Sequence, residues 1–361
     1  MYFMMRRRMS DLAKKKADIE KAQQAEAKSK PRKSHGSFED RSENEECEDD
    51  RENTHCPLSR TGTMPLSRAT IHNTREVECT LHTQIDVRTK FDSKDCKITG
   101  ISFSRGGDLL VSDANNKKVK MFDLKGNLRI EFTILQSYGA LKYPVGVCGL
   151  NSGEVVVADK DGSDLKVFAP EGRFMMSFGK GLQGPTIMTS TVSKQVILLE
   201  EATKEVYVYN AMTEDHACLH NEDKKHHKFK SPSGIAVISD KIFVADENKL
   251  LLFDDHGRYS STYSTDTGSS FGRGVGTGSS VDVTLDHPVS MAADRDHNVL
   301  VLQKTNVLSF STTKHSFIRL LDLTNTPVKK PAGVATSQNG FMAIYTEDGS
   351  TVYIYKYFEK L

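Results

Sequence analysis

The stretch Ile98–Leu128, ITGISFSRGGDLLVSDANNKKVKMFDLKGNL, decides the fold because five later stretches of the chain repeat its pattern. Every copy opens with a short strand led by Pro-x-Gly-aliphatic or by a decayed form of that motif. The openings begin at residues 98, 144, 185, 232, 288 and 331, so successive copies start 41 to 56 residues apart. A repeat of this length is one supersecondary unit that buries its apolar faces against its neighbours.

Each unit contains further strands after its opening. A second apolar strand ends in an acidic residue in three copies, at Asp113, Asp159 and Asp246, and a third strand returns after a polar loop. Glycines such as Gly126 then supply the positive-φ turns that lead into a fourth strand. Continuous β-branched and aromatic runs are typical of strands buried on both faces. Six four-stranded units therefore predict an all-β fold, a six-bladed β-propeller.

The last copy has room for only three strands between Pro331 and Leu361, so a closed ring needs one strand from elsewhere. In residues 81–89, apolar or β-branched residues alternate with polar ones, as they do in a strand with one buried face. We expect this segment to form the outer strand of the final blade. The propeller then occupies residues 79–361.

The chain before the repeats differs in composition. Residues 1–35 carry eleven Lys/Arg against four Asp/Glu, and their Ala, Lys, Glu and Gln favour a solvated helix that Ser10 can cap. The basic runs Arg6–Arg8 and Lys14–Lys16 leave open a nuclear-localisation or acidic-partner role. Residues 36–78 include nine Asp/Glu between positions 39 and 52 and few aliphatic residues, so they predict a disordered acidic linker.

The composition of the whole chain excludes several classes of protein. Lys+Arg number 49 and Asp+Glu 48, and the resulting net charge of +1 provides no global attraction for a polyanion. No run approaches the ~18–20 apolar residues of a membrane-spanning helix, and the start lacks the order of a secretory signal. The six scattered cysteines contain no C-x-x-C pair, which favours a cytoplasmic location without disulfides. We expect no metal and no cofactor, and the oligomeric state stays open.

The repeat resembles the NHL repeat in its Pro-x-Gly-aliphatic opening, its apolar strand ending in Asp, its polar loop and its Val-x-x-Phe-Asp strand. The stretch Ile98–Leu128 is similar to the first propeller blade of tripartite-motif NHL-like proteins, especially those of invertebrates. The resemblance covers about residues 79–361 and implies a platform that binds RNA or substrate proteins. In that family RING, B-box and coiled-coil modules supply ubiquitin-ligase activity and dimerisation. Because their zinc-ligand spacings do not occur here, the chain is not expected to be an enzyme.

One rim of such a propeller is built from the loops between second and third strands and the loops that lead into the next blade. Basic side chains and aromatic rings there suit a single strand of RNA, by phosphate neutralisation and base stacking. Residues 91–361 nevertheless sum to a charge of −1, so a protein partner is favoured and RNA is the alternative. The candidate binding residues are Lys117, Lys118, Tyr138, Lys142, Tyr143, Lys224, Lys225, Lys228, Lys230, Lys329 and Lys330.

A metal-dependent hydrolase or lyase is a further alternative. The three strand-end Asp residues could form a ring of carboxylates that binds Ca²⁺, as in six-bladed lactonases. The other copies break that symmetry with Glu200, Gln303 and Thr346. We therefore expect the Asp side chains to accept backbone N–H bonds in the turn that follows each strand. Most histidines fall in predicted loops, and Gly272–Gly278 lacks the helix and the Lys of a phosphate-binding loop, so neither indicates catalysis.

Overall fold

The computed structural model describes residues 77–132, 134, 140–211, 213, 215–220, 227–265 and 283–359. The predicted helical segment 1–35 and nearly all of the predicted linker lie outside these residues, as do Tyr138, Lys224, Lys225 and the Gly-rich insertion. Every regular element in the described ranges is a β-strand, and no helix in them is long and apolar enough to cross a membrane.

The strands of the described residues form six antiparallel sheets of four strands each, which confirms the six-bladed propeller. Blade 1 consists of β2 (Ile98–Phe103), β3 (Leu109–Asp113), β4 (Lys118–Phe122) and β5 (Leu128–Phe132). Blade 2 consists of β6 (Pro144–Gly149), β7 (Val155–Asp159), β8 (Asp164–Phe168) and β9 (Phe174–Phe178). Blade 3 consists of β10 (Pro185–Ser190), β11 (Gln195–Glu200), β12 (Glu205–Asn210) and β13 (His216–Cys218). Blade 4 consists of β14 (Pro232–Ile238), β15 (Lys241–Asp246), β16 (Lys249–Phe253) and β17 (Tyr259–Tyr263).

Blade 5 consists of β18 (Ser290–Ala293), β19 (Asn298–Leu302), β20 (Asn306–Ser311) and β21 (Ser316–Asp322). Blade 6 combines β22 (Pro331–Thr336), β23 (Phe341–Thr346) and β24 (Thr351–Glu359) with the N-terminal strand β1 (Val77–Asp86). The first strands of neighbouring blades contact one another around the ring, so they enclose a central channel.

The strand β1 pairs antiparallel with β24 and forms the outer edge of blade 6. The pairing runs from Val77 opposite Glu359 to Asp86 opposite Thr351. The strand covers residues 77–86 and not the predicted 81–89. It ends there because the Asp86 carboxylate accepts a hydrogen bond of 3.1 Å from the Arg88 backbone N–H and turns the chain. Residues 77 and 78, which the sequence assigned to the linker, belong to this strand.

The hydrophobic core lies between the blades. Six clusters of buried apolar side chains each join two neighbouring sheets. Between blades 6 and 1, Ile85 packs in one cluster with Val111 and Ala343. The second strands contribute to the clusters on both of their faces, and β3 and β7 are buried at every position. The continuous apolar runs of the sequence are thus explained by sheets stacked on both sides.

The Pro-x-Gly motif that opens the inner strands has a steric origin. A β-bulge shifts the register between Pro144 and Gly146 in blade 2, and the same irregularity recurs in blades 1, 4 and 6. A Cβ on Gly146 would lie 3.0 Å from the carbonyl oxygen of Thr186 in the next inner strand. A Cβ on Gly100 would lie equally close to the Cα of Gly146. Glycine therefore lets neighbouring inner strands approach closely around the channel.

Ile85 anchors β1 in the core and is 1% exposed. Ile85→Ala is expected to lower the free energy of unfolding by about 2–5 kcal/mol, because it leaves a cavity between blades 6 and 1. The matched control is Thr80→Ala at an exposed position of the same strand, with an expected change of less than about 0.5 kcal/mol. Urea denaturation of the full chain measures both, and equal effects would contradict the anchoring role of β1.

Candidate recognition face

Two sets of loops share one face of the ring, because successive strands run in opposite directions. The first set joins the second strand of each blade to the third, and the second set leads from each outer strand into the next inner strand. We call this side the entry face. The remaining turns lie on the opposite face, where Lys125 and Lys314 are exposed.

Carboxylates at the ends of the second strands hold the loops of the entry face. Asp159 accepts hydrogen bonds from the backbone N–H groups of Lys142 and Tyr143, at 3.0 and 2.7 Å. Asp113 and Asp246 accept equivalent bonds from the loops before their own inner strands. The sequence placed these donors in the turn after each strand. That prediction is wrong for Asp159 and Asp246, because the donors come from the loop that precedes the inner strand of the same blade.

Two other blades keep this arrangement with different side chains. Glu200 accepts a bond of 2.6 Å from the Gln183 N–H, and the amide oxygen of Gln303 accepts one of 2.8 Å from the Asp286 N–H. Five of the six blades therefore carry the same clamp, an acceptor at the end of the second strand bound to the entry loop. The residue types at the ends of the second strands differ between blades, but the hydrogen bond to the entry loop is the same in these five blades.

A buried lysine completes the clamp in blades 1 and 2. The Lys120 Nζ lies 2.6 Å from a carboxylate oxygen of Asp92 and 2.8 Å from one of Asp113. The side chains of Lys120 and Asp113 are 0% exposed. In blade 2, Lys166 makes the equivalent ion pair with Asp159 at 2.9 Å. Lys120 thus ties the loop before blade 1 to the middle of its sheet.

The cluster Asp92, Cys96 and Asp113 is the one group of potential metal ligands found among the residues that the structure describes. The ammonium of Lys120 already lies among these groups, 3.4 Å from the Cys96 Sγ. Burial raises the pKa of the Cys96 thiol to about 12, and a protonated thiol is a poor metal ligand. The ammonium of Lys120 pairs with both carboxylates and occupies the place between them, so the cluster is an ion-pair network.

The charge states of this network follow from opposing effects. Burial by itself would raise the pKa of Asp113, but hydrogen bonds from Lys120 and Asn116 outweigh it and hold the pKa of that carboxyl below its ordinary value. Burial would also lower the pKa of Lys120, yet its bonds to Asp113 and Asp92 raise that pKa above the ordinary value. Both members of the pair are therefore charged at neutral pH.

The described candidate lysines divide into paired and unpaired groups. Ion pairs join Lys118 to Glu131 at 3.1 Å, Lys230 to Glu247 at 3.4 Å and Lys330 to Asp348 at 2.6 Å. Lys329 donates a bond of 3.4 Å to a backbone carbonyl. Lys117, Lys142 and Lys228 are exposed and have no recorded ion pair with another described residue. The structure therefore does not bring the candidates together as one basic surface around the ring.

The loop 87–97, which joins β1 to β2, was missed by the sequence analysis. It exposes Lys90, Phe91, Lys94 and Lys97, and the Phe91 ring is 64% exposed. Three lysines in eight residues are visible in the sequence, but Asp92 and the exposed Asp95 offset them in a count of formal charges. In the structure the Asp92 carboxylate is buried and pairs with Lys118 and Lys120. These two lysines also pair with Glu131 and Asp113, so the network keeps one net negative charge, against which the exposed lysines of the loop are in excess.

Side-chain contacts connect this loop to neighbouring parts of the entry face. The amide oxygen of Asn116 accepts bonds from the backbone N–H groups of Ser93 and Lys94, at 3.1 and 3.0 Å. The Lys97 Nζ donates a bond of 2.9 Å to the Tyr143 hydroxyl at the entry to blade 2. We call the resulting surface the blade 1 patch, and its members are Lys90, Phe91, Lys94, Lys97, Lys117, Lys142 and Tyr143.

The central channel has a volume of about 540 Å³ and is lined mainly by small, hydroxyl and aliphatic side chains of the inner strands. The acidic and histidine side chains in its lining, Asp240, Asp294 and His297, belong to turns on the opposite face. The Asp294 carboxylate accepts a bond of 2.7 Å from the Asn298 N–H and is committed to its own turn. His216, one of the histidines expected in loops, lies instead in the outer strand β13, where its ring stacks on Tyr209.

Comparison with known proteins finds similarity in part of the sequence and in the fold. No known family profile matches the chain. A segment of 116 residues, 31% of this chain, is 25% identical to the protein brain tumor of Drosophila melanogaster and spans 11% of its length. This supports the NHL-type resemblance of the repeats and leaves the tripartite part of it open.

Solved propeller structures resemble the ring at low identity. Virginiamycin B lyase from Staphylococcus aureus is 12% identical over 79% of this chain and 89% of its own, with a TM-score of 0.50. Its catalytically inactive variant with quinupristin gives 11% identity over 78% of this chain and 99% of its own, with a TM-score of 0.53. A gluconolactonase from Xanthomonas campestris is 12% identical over 74% of this chain and 88% of its own, with a TM-score of 0.53. These similarities show the fold.

Lys120→Met is expected to lower the free energy of unfolding by about 3–5 kcal/mol, because it leaves the Asp113 carboxylate buried without a cation and Asp92 with Lys118 alone. Lys125→Met, at an exposed turn of the same blade, is the control and is expected to change it by less than about 0.5 kcal/mol. Urea denaturation at neutral pH measures the difference. If the two variants were equally stable, the buried ion pair would not hold the loop.

The Asp113 carboxylate also predicts a dependence of stability on pH. Its pKa is lower in the folded protein than in the unfolded chain, so its stabilisation is complete above about pH 4 and is lost as the pH falls through the folded pKa. Asp113→Asn is expected to be less stable near pH 7 and to lose less of its remaining stability between about pH 4 and pH 2. Urea titrations at a series of pH values test this, and parallel curves for the two proteins would refute it.

Proposed function

We propose that this protein is a recognition scaffold that binds a protein partner through the entry face and performs no chemistry of its own. The clamp is the observation that carries the proposal. In five blades the polar group at the end of the second strand is bound to backbone donors of an entry loop. These groups hold loops in place, and their oxygen atoms are engaged by backbone N–H donors. Loops ordered before binding reduce the entropy cost of association.

A protein partner is favoured over RNA by the charges on most of the entry face. Lys160 pairs with Glu201, and the ion pairs of Lys230 and Lys330 neutralise further cations. Counterion release by RNA needs several adjacent unpaired cations along its path. The resemblance of the repeats to tripartite-motif NHL-like proteins extends the proposal to substrate recognition, as in ubiquitination. The ligase chemistry would then come from a module other than this ring.

RNA binding by the same face is the second candidate. The blade 1 patch favours it, because five lysines without carboxylate partners lie there with Phe91 and Tyr143. Cations and aromatic rings are the groups that single-stranded RNA contacts. The lyase and the lactonase share the fold with this chain. Because one fold supports many unrelated reactions, their activities are not part of the proposal.

Affinity purification with the full chain tests the proposed function. We expect a protein partner that is recovered after ribonuclease treatment. At least one of Lys142→Glu, Lys228→Glu and Lys329→Glu on the entry face should weaken its binding about tenfold or more, because each reverses a charge at the interface. The matched controls, Lys125→Glu and Lys314→Glu, change the net charge equally on the opposite face and should leave binding unchanged.

Other outcomes of that experiment contradict the proposal. Loss of all enrichment after ribonuclease treatment supports the RNA candidate instead. A partner that is lost with the control variants would place the interface on the opposite face. Failure to enrich any protein, together with metal-dependent turnover of a lactone, would indicate an enzyme.

A further inference from the structure

Resting on the proposed function, we propose that the blade 1 patch is the docking site for a short acidic peptide segment of the partner that carries an apolar side chain. The patch differs from the rest of the entry face in two ways. Its lysines are not neutralised by described carboxylates, and it exposes a large aromatic ring beside them.

The first argument is the separation of charge on the entry face. Lys90, Lys94, Lys97, Lys117 and Lys142 are exposed, and none has a recorded ion pair with a described carboxylate. The exposed carboxylate of Asp95 and the one net negative charge of the Asp92 ion-pair network offset these five lysines only in part, so the patch keeps a net positive charge. Exposed charges are screened over about 8 Å at physiological salt, so the field at the patch is set by its own lysines. That field attracts a short anionic segment.

The rest of the entry face limits how long that segment can be. Asp161, Glu201, Glu247 and Asp348 are exposed on the loops of blades 2, 3, 4 and 6. Glu201, Glu247 and Asp348 pair with lysines of the entry face, so a polyanion that crossed these loops would meet neutral ion pairs and the Asp161 carboxylate, which offer it little attraction. A segment confined to blade 1 meets the five lysines of the patch and one exposed carboxylate, Asp95. A chain of regularly spaced phosphates is therefore a poorer match than a peptide with a local acidic run.

The second argument is the environment of the aromatic rings. The Lys90 Nζ lies 5.0 Å from the centroid of the Phe91 ring, and the Lys97 Nζ lies 5.7 Å from that of Tyr143. An ammonium therefore already covers one face of each ring, where a nucleic acid base would stack. The exposed remainder of Phe91 can contact an aliphatic or aromatic side chain, and an exposed aromatic of this kind is a common anchor of protein interfaces.

The third argument is that the loop is held in position before a partner arrives. The Lys118 Nζ donates a bond of 3.2 Å to the Phe91 carbonyl oxygen, so the backbone of the anchor residue is fixed to β4. Before Phe91, Lys120 donates a bond of 3.0 Å to the Val87 carbonyl oxygen. After it, Lys120 binds the Asp92 carboxylate, and Asn116 accepts bonds from the next two backbone N–H groups. The peptide would thus meet a preorganised surface and would bear most of the ordering cost itself.

Fluorescence anisotropy with the full chain tests the proposal. The probes are a labelled peptide of about ten residues that alternates Glu with Leu, a polyglutamate of the same length, and an oligouridylate of the same length. We expect the Glu–Leu peptide to bind most tightly and to weaken as salt is added. The double variant Lys90→Glu/Lys94→Glu should weaken it about tenfold or more, and Phe91→Ala about fivefold or more.

The control is Lys125→Glu/Lys314→Glu, which has the same net charge as the double variant and should bind like the unmodified protein. Thermal unfolding checks that all variants fold, as expected from the exposure of the substituted residues. Tighter binding of the oligouridylate, lost in the same variants, would overturn the proposal and assign the patch to RNA. Peptide binding that is absent, or that the patch variants do not change, would also overturn it.

The affinity purification separates this inference from the proposed function. A partner that is lost with Lys228→Glu or Lys329→Glu but retained with Lys90→Glu/Lys94→Glu and with Phe91→Ala contradicts the docking site and leaves the scaffold function standing. If no partner is enriched while the Glu–Leu peptide still binds at the patch, the scaffold function fails and the chemistry of the docking site is supported.

Discussion

The pairing of β1 with β24 is the constraint on which the rest of the molecule depends. It joins segments that are far apart in the chain: the Ser350 hydroxyl donates to the Asp86 carboxylate across a separation of 264 residues. Closing so long a loop is costly in entropy, and the burial of Ile85 between blades 6 and 1 helps to offset it. Because β1 leads directly into the loop 87–97, the same pairing determines where Phe91 and the lysines around it are displayed.

The clamp at the ends of the second strands connects this architecture to the entry face. In each of five blades it satisfies backbone donors of an irregular loop that would otherwise need water or another partner. The Lys120 ion pair adds a second connection in blade 1. Removing these charges from water is costly, so the pair is weak evidence for added stability. Its clearer consequence is specific: it holds the Asp92 carboxylate in a buried position, whereas the neighbouring lysines stay exposed at the surface.

The same fold supports enzymes, so the fold by itself does not assign a function to this chain. Virginiamycin B lyase and the gluconolactonase share the propeller fold with this chain at 12% sequence identity. In this chain, Asp113, Asp159 and Asp246 are engaged by backbone N–H groups, and the Asp294 carboxylate in the channel lining is bound within its own turn. Function must therefore be argued from the site. Here the unusual site is a charged and aromatic surface outside the channel.

Local patterns in the sequence determined most of the fold. Apolar runs and the repeated Pro-x-Gly opening encode the blades, because strand burial and the close approach of Gly146 to the next strand depend on nearby residues. The alternation in residues 81–89 indicated a strand, but its end at Asp86 depends on a turn that the alternation does not show. The site was harder to predict. A count of formal charges gives Asp92 and Lys94 equal weight. In the structure the Asp92 carboxylate is buried and paired with Lys120, 28 residues away in the chain, whereas the Lys94 ammonium is exposed. Only the tertiary structure decides which charges meet, because the partners come from different strands and loops.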